Sequence, residues 1–125
     1  MAGLDTSFLI DLVVGRPEAI ALYKEQKEPL FVSELVVFEF LCGNISPRVE
    51  DDFFAAVSEC TFVTIEREEV LLAARIFREL KRRGETRPLL DTAIAASYLA
   101  NNISTIITGN AKDFEGIPGL KIESY

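Results

Sequence analysis

The alternation of short apolar runs with longer stretches of helical periodicity limits this chain to one class of architecture. Five runs read as strands: residues 2–4, 30–32, 62–65, 105–108 and 120–122. Between them the pattern predicts helices over residues 17–27, 33–42, 47–59, 66–83 and 88–100, with a short one at 8–14 after the first strand. Pro17 and Pro47 sit where a missing N–H is harmless, Ser33 is suited to cap, and Gly43, Gly84, Asn101 and Asn102 follow as stops. In the longest helix Val70, Ala73, Ala74, Phe77 and Leu80 form the apolar stripe expected to face a core. Strands alternating with helices imply a mainly parallel sheet with helices on both faces, and in such sheets functional groups collect at the carboxyl ends of the strands.

With 125 residues, 49% of them apolar, the chain is expected to form a single domain over residues 1–125 with an ordinary core. It contains no histidine, which removes Ser-His-Asp and Cys-His catalysis and histidine-based zinc sites. Cys42 and Cys60 are too few for a disulfide framework; both are expected to be buried thiols in a reducing cytoplasm. No basic leader precedes an apolar run and no stretch reaches the roughly 20 apolar residues of a membrane span, so a soluble cytoplasmic protein is expected. Thirteen basic against twenty acidic residues give a net charge of −7. Attraction to phosphate would therefore need a local basic patch or a bound cation.

Four acids fall where the architecture concentrates chemistry. Asp5 follows the first strand directly, at its carboxyl end; a helix N-cap is the competing role. Glu39 lies inside Leu35-Val36-Val37-Phe38-Glu39-Phe40-Leu41, a helix apolar almost all round, where an ionised carboxylate is costly without a cation or another partner. Asp91 lies in the first turn of the helix feeding strand 105–108. That helix runs antiparallel to its strand, so its first turn shares the edge occupied by Asp5, although the helix dipole alone also favours an acid there. Asp113 lies just past the fourth strand, where a turn role competes, and Asn110, nearer the strand end, offers a neutral oxygen.

Carboxylates converging without His or Cys suit a hard divalent cation, Mg²⁺ or Mn²⁺, and with it a polyanionic substrate. Six of the thirteen basic residues, Arg75, Arg78, Lys81, Arg82, Arg83 and Arg87, crowd just before the Asp91 helix. Arg82, Arg83 and Arg87 are candidate RNA contacts; a solvated helix face with pairs such as Arg75–Glu79 is the alternative.

In order and spacing, Leu4-Asp5-Thr6-Ser7, Glu39 in its apolar helix, Leu90-Asp91-Thr92-Ala93-Ile94-Ala95-Ala96 and the ending Thr108-Gly109-Asn110-Ala111-Lys112-Asp113-Phe114 resemble a PIN domain, more narrowly the VapC-type ribonuclease toxins of toxin–antitoxin pairs. The resemblance covers nearly the whole chain. It implies a three-layer α/β/α sandwich with a central five-stranded parallel sheet, Mg²⁺- or Mn²⁺-dependent RNA cleavage, a homodimer, and an antitoxin protein whose tail blocks the site. Asp5, Glu39 and Asp91 match the family's three most dependable acids. Many members carry the fourth where this chain has Asn110, and others carry it at the position of Asp113. Thr6 and Thr108 match hydroxyls that the family uses to orient acids or water.

Two other classes compete. A PIN-like module that binds nucleic acid or protein without catalysis is the main alternative, and retention of the three acids argues against it. A phospho-acceptor signalling domain would need an acid pair after the first strand, where Asp5 is followed by Thr6. Neither GxGxxG nor GxxxxGK[ST] occurs, which removes the common nucleotide-binding loops.

Overall fold

The computed structural model describes residues 1–125. Its strands are β1 (Ala2–Leu4), β2 (Leu30–Ser33), β3 (Thr61–Val63), β4 (Thr105–Ile107) and β5 (Lys121–Glu123), and its helices α1 (Thr6–Val13), α2 (Pro17–Glu25), α3 (Glu34–Leu41), α4 (Pro47–Ala56), α5 (Arg67–Arg82) and α6 (Leu89–Leu99). The strands form one sheet in the order β3-β2-β1-β4-β5, with every pairing parallel. β1 is central and buried along its length, with Gly3 opposite Phe31 on one side and Ile106 on the other. The order reverses between β1 and β4, and a crevice opens at the carboxyl ends of strands at such a switch point. Right-handed crossovers carry α1 to α4 over one side of the sheet and α5 with α6 over the other, giving three layers.

The helix starts follow the local chemistry. Ser33 accepts the Leu35 N–H (3.2 Å) and Ser46 that of Val49 (3.2 Å), while Pro17 and Pro47 occupy first-turn positions. α5 opens with a capping box in which Glu69 accepts the Glu66 N–H at 2.7 Å. The Glu69 carboxylate also takes the Asn101 amide (3.3 Å) and is itself buried. That face of α5 therefore turns inward, and Ile76 and Leu80 share it. The stripe expected from the sequence is corrected accordingly: Leu80 belongs to the core, but Val70 and Ala74 are exposed.

The thiol expectation also fails in part. Cys42, at the end of α3, is exposed, and Cys60 is half-buried, with burial pushing its thiol up to about 11. Boundaries move by a few residues: β3 starts earlier than expected, β5 later, and α4 stops at Ala56. No helix is long and apolar enough to cross a membrane.

Candidate metal centre

Asp5 is the first residue beyond β1, and its N–H continues the ladder to the Ile107 carbonyl (3.0 Å). Its backbone occupies the N-cap position of α1, yet its side chain caps nothing. Oδ2 instead accepts two hydroxyl bonds, from Ser7 and from Thr108, each 2.7 Å. Each hydroxyl has one proton, and both are spent on Oδ2. The Ser7 and Thr108 oxygens then accept the N–H groups of Gly109 (3.0 Å) and Asn110 (2.9 Å), so the loop after β4 is tied to the same carboxylate. The side chain is held rigidly while Oδ1 stays buried with no hydrogen-bond partner. A lone buried carboxylate oxygen of this kind is costly unless a cation meets it.

Glu39 comes to the same place from the side. α3 leaves β2 at the strand's carboxyl end, and the Thr6 hydroxyl, at the start of α1, donates to Glu39 Oε1. Asp91 arrives in the first turn of α6. One oxygen from each of Asp5, Glu39 and Asp91 lies within 4.8 Å of the others, close enough to share one ion. Asp113, at the end of the short 3₁₀ turn Ala111–Asp113, brings its carboxyl within hydrogen-bonding reach of Asp91. Asn110 is exposed on the rim of the same cleft.

The charge of the group is legible in Asp91. Burial first, then the carboxylates of Asp5, Asp113 and Glu39, push it up from the ordinary 3.8 to about 7. The three clustered acids and an unpartnered oxygen, with no cationic side chain hydrogen-bonded to any of them, fit a hard divalent cation; Asp113 stands beside Asp91, outside that cluster. The cleft around them is about 820 Å³. Its far side is apolar, made by Ile10, Val13, Val14, Ile45 and Val49.

The basic residues before α6 divide in two, and none of them lines the acid cleft itself. Arg82 is exposed and pairs with Glu79, the partner anticipated for Arg75. Arg83 and Arg87 instead donate to main-chain carbonyls of the loop after β4.

Some residues that support the site escaped the sequence reading. Ser7 bonds Asp5 two residues away but is locked by Thr108 and Gly109 from across the sheet, and the partners of Tyr98 all lie in distant segments. The Tyr98 ring is fully buried under β1; its hydroxyl donates to the Leu4 carbonyl and accepts the Ser33 N–H (2.9 Å), joining the carboxyl ends of β1 and β2. Asp11 accepts the Tyr125 hydroxyl and lies 3.6 Å from Arg16. Asp52 is exposed and lines the cleft.

A doubly wound parallel sheet whose central strand ends in a cluster of acids defines an α/β/α protein equipped for a hard cation. The chain belongs to the PIN domain family, whose model matches residues 3–120. No curated protein sequence matches it. Among solved structures, a chain of the Rickettsia felis VapBC2 complex bound to promoter DNA superposes with a TM-score of 0.85 at 19% identity, covering 99% of this chain and 98% of that one. A toxin–antitoxin complex from Klebsiella pneumoniae gives 0.80 at 28% identity, covering 97% and 96%. The sarcin–ricin loop cleaving toxin VapC20 of Mycobacterium tuberculosis gives 0.65 at 18% identity, covering 85% and 87%.

Proposed function

We propose that this chain is a Mg²⁺- or Mn²⁺-dependent endoribonuclease and the toxin of a toxin–antitoxin pair. The observation that carries the reading is the meeting of Asp5, Glu39 and Asp91 around the unpartnered Asp5 Oδ1. The similar structure from a toxin–antitoxin complex supports the partner, and that of the sarcin–ricin loop cleaving toxin supports the substrate class.

Asp5 and Asp91 would hold the ion, and Glu39 and Asp113 would complete the site and orient a water. When bound, such an ion supplies Lewis-acid activation of water and neutralises charge at the phosphodiester. Ser7 and Thr108 keep Asp5 Oδ1 turned to the site, Thr6 does the same for Glu39, and Asn110 offers a neutral oxygen at the rim. Arg82, with Arg75, Arg78 and Lys81, supplies the positive field that receives the RNA backbone. The apolar side of the cleft takes the antitoxin.

Structured RNA incubated with Mn²⁺ is expected to be cut by the wild type and at least about a hundredfold more slowly by Asp5→Asn. Equal cutting by both would trace the activity to a contaminant and defeat the reading.

A symmetric homodimer belongs to the same proposal. Within Leu35–Leu41 the side chains divide: Val36 and Phe40 are buried, whereas Phe38 is 61% exposed. Phe53 stacks on Phe40 in the core, so of the Phe53–Phe54 pair only Phe54 faces out. Leu35, Ile65, Val70, Ala73 and Ala93 line an apolar depression of about 190 Å³ across α3, α5 and α6. Light scattering at micromolar concentration is expected to give twice the 13.9 kDa chain mass, and Val70→Asp to give the monomer. A monomeric wild type would contradict the dimer.

A further inference from the structure

We propose that Arg87, assisted by Arg83, is a positioning residue that sets the separation of Asp91 and Asp113; the inference rests on the metal-dependent reading above. Arg87 stands four residues before Asp91, on the segment leading into α6, and its Nε donates to the Glu115 carbonyl (2.8 Å), two residues beyond Asp113. Its Nη1 holds the Glu85 and Thr86 carbonyls (3.2 and 3.1 Å), which fixes the guanidinium to its own segment. One side chain thus ties the element that carries one acid to the loop that carries the other. Arg83 adds a second tie, from Nη2 to the Gly116 carbonyl (2.7 Å).

The turn is shaped for this contact. Gly116 has a φ of +83°, and a Cβ there would come within 3.0 Å of the Glu85 carboxylate and 3.9 Å of Arg87. Phe114 and Ile117 bury their side chains and anchor the loop from below, while at its other end Gly109 is held by Ser7. Between these anchors the Ala111–Asp113 turn sets the Asp113 carboxyl beside that of Asp91. Two guanidiniums hold the carbonyls of the chain just beyond it. The planar fork reaches carbonyls of two segments from separate nitrogens, a fixed geometry that a lysine's single ammonium does not reproduce. Arg82 makes no contact with this loop, so the basic run divides by role: Arg82 faces the substrate, and Arg83 and Arg87 act through Asp113.

The test compares wild type, Arg87→Ala and Arg82→Ala in two measurements: Mn²⁺ binding by calorimetry without RNA, and cleavage kinetics. Arg87→Ala is expected to bind Mn²⁺ about tenfold more weakly and to lose kcat in proportion, with KM for RNA little changed and kcat partly restored by excess Mn²⁺. Arg82→Ala is expected to raise KM and leave Mn²⁺ binding alone. Should Arg87→Ala fold too poorly to purify, Arg83→Ala carries the same expectation at smaller size. Normal Mn²⁺ binding with a raised KM in the Arg87 and Arg83 variants would make them substrate contacts and overturn the inference. A wild type that binds no Mn²⁺ would instead sink the metal-dependent reading itself.

Discussion

In EDTA at pH 8, Asp91→Asn is expected to melt above the wild type, and in a separate assay with Mn²⁺ to cleave RNA at least about a hundredfold more slowly. The native pKa of Asp91, about 7, lies above the 3.8 of an ordinary aspartate, so between those values the folded chain binds the extra proton. Wild-type stability without metal therefore falls as pH rises from about 4 to 7, and none of the loss is felt below that window. The asparagine neither ionises nor repels Asp5, Asp113 and Glu39. Its advantage should be absent near pH 4 and full above pH 7, at about 1–2 kcal/mol after allowance for solvent screening of a half-buried group. That corresponds to a rise of about 3–8 °C. The same proton competes with the ion, so Mn²⁺ affinity of the wild type should drop by up to about tenfold per pH unit below 7. A melting temperature of Asp91→Asn below that of wild type at every pH would show that the carboxylate is bound by partners other than repelling acids.

Gly3→Ala should be the most damaging single-methyl change in the molecule. A Cβ at position 3 would lie 2.4 Å from the Tyr98 ring, which is fully buried beneath β1 and cannot retreat. Overpacking at a central strand with rigid neighbours is expected to cost about 3 kcal/mol or more. Tyr98→Phe keeps the ring but strands the Leu4 carbonyl and the Ser33 N–H, for about 1–3 kcal/mol. The two sites are in contact, so Tyr98→Leu, which vacates the space, should make Gly3→Ala less harmful than it is alone. Additive losses in urea unfolding of the single and double variants would contradict the packing argument.

The acids were readable because each breaks a local rule. Asp5 ends an apolar strand, Glu39 interrupts an apolar helix, and Asp91 stands beside Leu90, Ala93 and Ile94. Strand–helix alternation then sufficed to bring Asp5 and Asp91 to one edge. What holds them there was not readable. Ser7 and Thr108 are 101 residues apart and meet only because β1 and β4 are neighbours. Tyr98 lies in a helix whose other residues already explain its burial, so its hydroxyl gives no separate signal. The rotation of α5 differs from the apolar pattern because Glu69, an acid, turns inward, where the capping box and Asn101 satisfy it. Arg83 and Arg87 read as candidate RNA contacts; their bonds to main-chain carbonyls leave no trace in the side-chain pattern.

The placing of β1 between β2 and β4 has a consequence for biosynthesis. The opening residues leave the ribosome first, yet one edge of their strand has no neighbour until residues 105–107 exist, and Asp5 has no Thr108 to hold it. A nascent or truncated chain that stops before that point cannot assemble the acid cluster in this form. Completion of the acid cluster therefore waits on synthesis of β4, by topology alone.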